Sequence, residues 1–129
     1  MGGEDASLRS VMIIDDDLGF AERLANMLRQ WGYAPSCLDT PERALAALRE
    51  MPDGGSGASV ALIGVQLDGI PCGVDLIANL RAERPELICV LMTADLDSRT
   101  AIAAMRRGAY DYFDKSSDPN ALSDRKSVV

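Results

Sequence analysis

Histidine is absent from all 129 residues. That removes a histidine nucleophile, a histidine general base and every imidazole metal ligand from consideration. Cysteine is scarce. Cys37, Cys72 and Cys89 are odd in number and show no CxxC spacing, so no disulfide framework is expected. Reduced thiols suit a cytoplasmic protein, which is the expected location. Positive charge is in deficit, with 13 Lys and Arg against 20 Asp and Glu. The net charge of −7 and a pI near 4.5 leave no basic footprint for nucleic acid or an anionic membrane. No apolar run approaches the length of a membrane span. The first ten residues are short and polar, without a basic-then-apolar leader pattern, and read as an extension before a domain covering 11–129.

What is present is a soluble globular composition, 47% apolar and 26% charged, in a chain long enough for one real core. The organising stretch is Val11-Met12-Ile13-Ile14-Asp15-Asp16-Asp17. Four apolar residues running into a turn predict a strand buried on both faces, as in a parallel sheet. The three acids then fall where the strand leaves the sheet, the side on which open α/β sheets bind ligands. Adjacent carboxylates repel one another and need a cation, a lysine or water nearby.

Helices and strands alternate from there. Phe20, Leu24, Met27, Leu28 and Trp31 recur at helical spacing, with Asp17 as N-cap and Gly32 just past the end. Tyr33–Leu38 predicts a second strand, and Pro35, which cannot donate to a ladder, places it at a sheet edge. Thr40-Pro41 opens a second helix with Ala44, Leu45 and Leu48 as its buried stripe. Asp53–Gly57 is glycine-rich but lacks a following Lys-Ser/Thr pair and helix, so it reads as a connector. Val60–Ile63 is a third strand. Val74, Leu76, Ile77 and Leu80 mark a third helix stopped by Pro85. Ile88–Met92 forms a fourth strand ending at Thr93-Ala94. Asp97 or Ser98 caps a fourth helix carrying Ile102 and Met105, closed by Gly108. Tyr110–Phe113 is a fifth strand with Lys115 just beyond it. Pro119 starts a short last helix anchored by Leu122 and Val129. This alternation predicts an α/β, flavodoxin-like doubly wound parallel sheet in the order 2-1-3-4-5, with a short or incomplete last helix.

That topology gathers Asp15, Asp16, Gly64, Thr93 and Lys115 at one edge. Ile14-Asp15-Asp16-Asp17, Thr93-Ala94 and Gly108-Ala109-Tyr110-Asp111-Tyr112-Phe113-Asp114-Lys115, in this order on these strand ends, resemble the receiver domain of two-component response regulators. The resemblance runs from about Val11 to Pro119. It implies that Asp15 and Asp16 help hold Mg²⁺, a hard cation that prefers carboxylate and retained water. It further implies that Thr93 and Lys115 contact the phosphoryl group and that the Tyr112 aromatic reports the state of the pocket.

The resemblance departs at the nucleophile. Receivers accept a phosphoryl group from a histidine kinase on an aspartate ending strand three. Aligning Val60–Ile63 and the helix-opening Gly73 puts Gly64 there, with one extra loop residue near Pro71. Asp68 lies four residues on, up to ~13 Å away along an extended chain, and anchoring on it would leave too little chain for helix three and strand four. A second departure is Ser116 where receivers usually carry a cis proline after the lysine. A cis bond before a non-proline residue costs ~2.5–4 kcal/mol, so a trans bond and a different loop are expected.

The leading expectation is a pseudo-receiver: no catalytic residue, no enzyme activity, no required cofactor, and Mg²⁺ bound weakly at Asp15 and Asp16 if at all. It would act by binding protein, either a histidine kinase or other signalling partner or a second copy. The surface would be the face of helix four, strand five and helix five, with Ala101, Ala104, Met105 and Tyr112 at its centre and no nucleic acid or membrane involved. The competing expectation keeps phosphoryl or cation binding through Asp68, Asp15 or Asp16. A third is a sensor that uses the site differently, through a thiol switch at Cys72 or a divalent-cation response, with an inert cysteine as the default.

Overall fold

The computed structural model describes residues 10–50, 60–67, 69–93 and 98–115. Nine elements alternate along them: β1 (Ser10–Ile14), α1 (Leu18–Gln30), β2 (Ala34–Leu38), α2 (Pro41–Glu50), β3 (Val60–Gly64), α3 (Gly73–Glu83), β4 (Ile88–Thr93), α4 (Ser98–Arg106) and β5 (Asp111–Asp114). Every strand pair is parallel and the sheet order is β2-β1-β3-β4-β5, as the alternation predicts. The proline-bearing β2 is an edge strand. β1 begins one residue before the expected Val11, and β5 is shifted one residue toward Lys115.

Capping follows the local chemistry. The Asp17 carboxylate accepts from the Phe20 N–H at 3.1 Å, satisfying one of the orphan donors at the start of α1. Thr40 Oγ1 accepts from the Arg43 N–H at 3.1 Å and does the same for α2. At the other end of α1, Gly32 takes φ 92°, a left-handed turn that a side chain would resist.

Strand parity divides the core. Val11 and Ile13 of β1, Val60 and Leu62 of β3, Val90 and Met92 of β4 and Phe113 of β5 share one face with Phe20, Leu24 and Leu28 of α1. Met12, Ile14, Ala61, Ile63, Cys89 and Leu91 face the other way, under α2, α3 and α4. Because each central strand buries both faces, its sequence is a continuous apolar run rather than an alternation. Truncating one of the fully buried leucines to alanine in such a layer costs about 2–5 kcal/mol.

One residue of the expected partner face, Ala104, needs correcting. Ile102 and Met105 are 52% and 46% exposed, while Ala101 and Ala104 face the sheet and Ala104 is fully buried. α4 approaches through its small side chains, so the large ones are left on the outer face. Ala104 therefore cannot belong to a partner surface; it is core. Ala101 is the floor of a shallow depression beneath Ile102, Met105, Arg106 and Tyr112. The expected N-terminal extension (all but Ser10), the Asp53–Gly57 connector, Asp68, Ala94, the Asp97 cap, Ser116 and the last helix with Leu122 and Val129 lie outside the described residues.

Cys89, in the middle of the sheet, generates a pH dependence. Burial pushes its thiol from 9.0 up to about 12, an effect that Arg81 only partly offsets. The folded thiol keeps its proton where the unfolded one loses it, so its contribution is intact below pH ~9 and drains away as pH rises toward the folded value. Urea denaturation between about pH 8 and about pH 11 should show the wild type losing stability relative to Cys89→Ala by about 1.4 kcal/mol per pH unit once above the free-thiol value. Parallel pH profiles for the two proteins would contradict this.

Candidate functional site at the carboxyl edge of the sheet

Register brings the candidate residues together. Ile14 pairs with Ile63, so the next residues, Asp15 and Gly64, sit side by side. Gly64 pairs with Met92 and Thr93 with Asp114. Lys115 follows, its N–H donating to the Thr93 carbonyl at 2.8 Å. Asp15, Asp16, Gly64, Thr93 and Lys115 thus line one cavity of about 460 Å³ together with Thr100 of α4. Asp68 and Ser116 are outside the described residues, so neither the competing acid nor the lysine–serine peptide is placed.

The parity that builds the core also aims the site. Asp15, Gly64 and Lys115 continue the α1-facing sets of β1, β3 and β5. On that face the Asp15 carboxylate fills the space a side chain at 64 would need: a Cβ on Gly64 would lie 2.9 Å from Oδ2 and 3.0 Å from Cγ. Lys115 Nζ lies 2.8 Å from the same Oδ2. The approach supplies charge without hydrogen-bond alignment, since Oδ2 has no aligned donor. Oδ1 accepts from the Asp17 N–H at 2.9 Å. Asp15 is 1% exposed and Lys115 16%. The ammonium also sits 4.7 Å from the centre of the Phe20 ring, a cation–π distance.

Asp16 is used differently. It is exposed, and its Oδ2 accepts from the Gly69 N–H at 3.2 Å. That bond ties β1 to the tight turn in which Leu67 and Ile70 exchange hydrogen bonds of 2.8 and 3.0 Å. Behind the turn, Gly73 opens α3 against the Gly64 carbonyl, and a Cβ there would collide with that oxygen. The glycine at 73 is thus a requirement of close backbone approach. Its position supports taking Gly64 as the end of strand three.

A magnesium site needs several oxygen ligands free to face the ion. Here the Lys115 ammonium stands where a cation would meet Asp15, Asp16 is turned to Gly69, and position 64 offers no side chain. Among the described residues no group of three or more His, Cys, Asp or Glu side chains converges on one point. The residues as arranged do not fit Mg²⁺. Cys72 ends up half-buried just before α3, outside the residues lining this cavity. Phe20 and Thr100 are among the site residues that sequence reasoning missed, with Val65 and Gln66 on the loop after β3. Phe20 carried only the signal of a core position on α1, and Thr100 only that of the first turn of α4.

An acidic, lysine-closed pocket lies at the carboxyl edge of a 2-1-3-4-5 sheet, the flavodoxin-like arrangement in which the strand ends form the binding crevice. Residues 11–126 match the response regulator receiver domain, and the chain belongs to that family. It is 34% identical over 122 residues to the photosynthetic apparatus regulatory protein RegA of Rhodovulum sulfidophilum, covering 94% of this chain and 61% of RegA. It is 31% identical over 119 residues to the DNA-binding response regulator MtrA of Mycobacterium tuberculosis, covering 92% of this chain and 49% of MtrA. The chain therefore spans about half to three fifths of the length of these curated relatives. Because MtrA is a DNA-binding protein by name, the absence of a basic footprint in these 129 residues excludes nothing for a longer protein. Among solved structures, a CheY-like receiver domain protein from Methanospirillum hungatei superposes with a TM-score of 0.81 at 21% identity, covering 94% of this chain and 92% of that one. That likeness shows the fold alone.

Two substitutions test the geometry. Gly→Ala in a compatible strand is ordinarily stabilising by about 0.4–1 kcal/mol. Gly64→Ala should instead destabilise by roughly 1–3 kcal/mol, because the methyl overlaps the Asp15 carboxylate. The penalty should shrink in an Asp15→Ala background, and an unchanged penalty would refute the overlap. Lys115→Ala leaves a buried carboxylate unpaired and should cost about 3–5 kcal/mol in urea denaturation at neutral pH.

Proposed function

We propose that this receiver domain is a phosphorylation-independent protein-interaction module of two-component-type signalling, binding a histidine kinase or another signalling protein through its surface. The observation that carries the reading is the Asp15 carboxylate seated in the side-chain space of Gly64 and neutralised by Lys115. Phosphoryl transfer to an aspartate needs an accessible carboxylate oxygen at the end of strand three. Position 64 supplies none, and the acid that has moved into its space is buried and paired. The lysine that would stabilise a transferred phosphoryl group is engaged in the resting protein. Removing one acid from the cluster lowers its self-repulsion, so the pocket is stable without a metal.

Acetyl phosphate or beryllofluoride with Mg²⁺, followed by intact-mass spectrometry, tests this directly. The wild type should stay unmodified under conditions that label an ordinary receiver. A stoichiometric adduct mapped to Asp15, Asp16 or Asp68 would establish the competing reading instead. Gly64→Asp is the informative variant. Its carboxylate must displace that of Asp15, and Mg²⁺-dependent labelling would place the loss in one residue. No labelling would mean that the Lys115–Ser116 segment differs as well.

A further inference from the structure

The misfit between this pocket and Mg²⁺ has a positive cause, the place where the Lys115 ammonium rests. Nζ lies 2.8 Å from Asp15 Oδ2, with the lysine 16% exposed and the acid 1%. Magnesium meets a carboxylate oxygen at ~2.1 Å, so an ion on Oδ2 would be pressed against the ammonium. The lysine is held from both ends. Its backbone N–H donates to the Thr93 carbonyl at 2.8 Å, and the Phe20 ring centre lies 4.7 Å from Nζ. Asp15 is held as firmly. Its Oδ1 accepts from the Asp17 N–H at 2.9 Å, and its carboxylate fills the space beside Gly64. Oδ2 is buried with no aligned hydrogen-bond donor, so its compensation is the charge of Lys115. The neighbouring acids are committed elsewhere. Asp17 Oδ1 caps α1 through the Phe20 N–H, and Asp16 Oδ2 accepts from the Gly69 N–H.

We infer that Lys115 is the resident counterion of this pocket and stands where a divalent cation would. The pocket then keeps one arrangement with or without Mg²⁺, and removing the ammonium uncovers a divalent-cation site built on Asp15. This deepens the proposed function and rests on its reading that position 64 accepts no phosphoryl group. Charge balance agrees. One buried carboxylate meets one ammonium, and a divalent ion beside them would leave excess positive charge in a desolvated place. Without the ammonium, Oδ2 would be an uncompensated charge on a cavity of about 460 Å³. That volume holds an ion with several retained waters, and Gln66, Thr93 and Thr100 line it with further oxygens. Asp16, on the surface, needs only to release its 3.2 Å bond to Gly69 to join them.

Mn²⁺ titration followed by electron paramagnetic resonance, which separates free from bound ion, tests the inference on the whole chain without a phosphodonor. Urea denaturation in Mg²⁺ and in EDTA accompanies it. The wild type should leave Mn²⁺ free and unfold at the same urea concentration in both buffers. Lys115→Met keeps an apolar stem against Phe20 and removes the charge. It should bind Mn²⁺ stoichiometrically and regain in Mg²⁺ much of the stability it loses in EDTA. Adding Asp15→Asn to Lys115→Met should restore stability in EDTA and weaken Mn²⁺ binding by roughly tenfold or more. Wild-type Mn²⁺ binding that Asp15→Asn removes overturns the inference, because metal and lysine would then coexist. A folded Lys115→Met that ignores Mn²⁺ overturns it as well. Should Lys115→Met fold in neither buffer, the wild-type titration decides alone. A wild type that binds Mn²⁺ but stays unlabelled by acetyl phosphate sinks this inference and leaves the proposed function standing. An adduct on a wild type indifferent to Mn²⁺ does the reverse.

Discussion

The contact between Lys115 and Asp15 governs this domain. Two opposite charges meet 2.8 Å apart at the edge of a sheet whose other inward positions are apolar, and one of them is 1% exposed. Desolvating both is expensive, and the attraction offsets that cost only while the geometry holds. The geometry is held from several sides. Asp17 donates its N–H to the other Asp15 oxygen, and Phe20 presents its ring to the ammonium. The pair also links the ends of β1 and β5 across β3 and β4, which lie between them in the sheet. A side chain on β3 at this level would stand in the way. The glycine at 64 and the ion pair are therefore one feature.

That feature changes what an acidic pocket means. Three carboxylates at a strand end first suggest a cation site, because their repulsion calls for positive charge. Here a lysine supplies it from within the chain. Asp16, the remaining acid of the pair implied to bind metal, holds the turn after β3 in place. In the fold both acids make contacts within the chain. On α4, packing through alanines leaves Ile102, Met105 and Arg106 outside.

Much of the architecture was legible in the order of residues. Val11–Ile14, Val60–Ile63 and Ile88–Met92 are apolar without alternation because they are buried on both faces. Pro35 announced an edge strand, and Asp17 and Thr40 announced helix starts, because each acts through local backbone chemistry. Ala104 was misplaced on an outer face for an equally physical reason. Helical periodicity marks a stripe of large apolar residues as the buried one, but burial also depends on how closely the helix can approach its sheet. Three alanines in nine residues allow an approach that Ile102 and Met105 would block. Phe20 shows the same limit: its place in the core was readable, its ring under a lysine ammonium was not.

Strand order, the parallel connections and the gathering of Asp15, Gly64, Thr93 and Lys115 at one edge follow from local pattern, since spacing and turn chemistry leave few topologies open. Even the shared face of Asp15, Gly64 and Lys115 is implicit in strand parity once the register is known. Where the Asp15 carboxylate rests is another matter. Its position depends on an empty volume contributed by β3, a charge arriving from β5 and an N–H from the start of α1, segments up to a hundred residues apart. No local rule sums those terms. Only the packed sheet brings each of them within 3 Å of that carboxylate, and there the space of the missing side chain is filled.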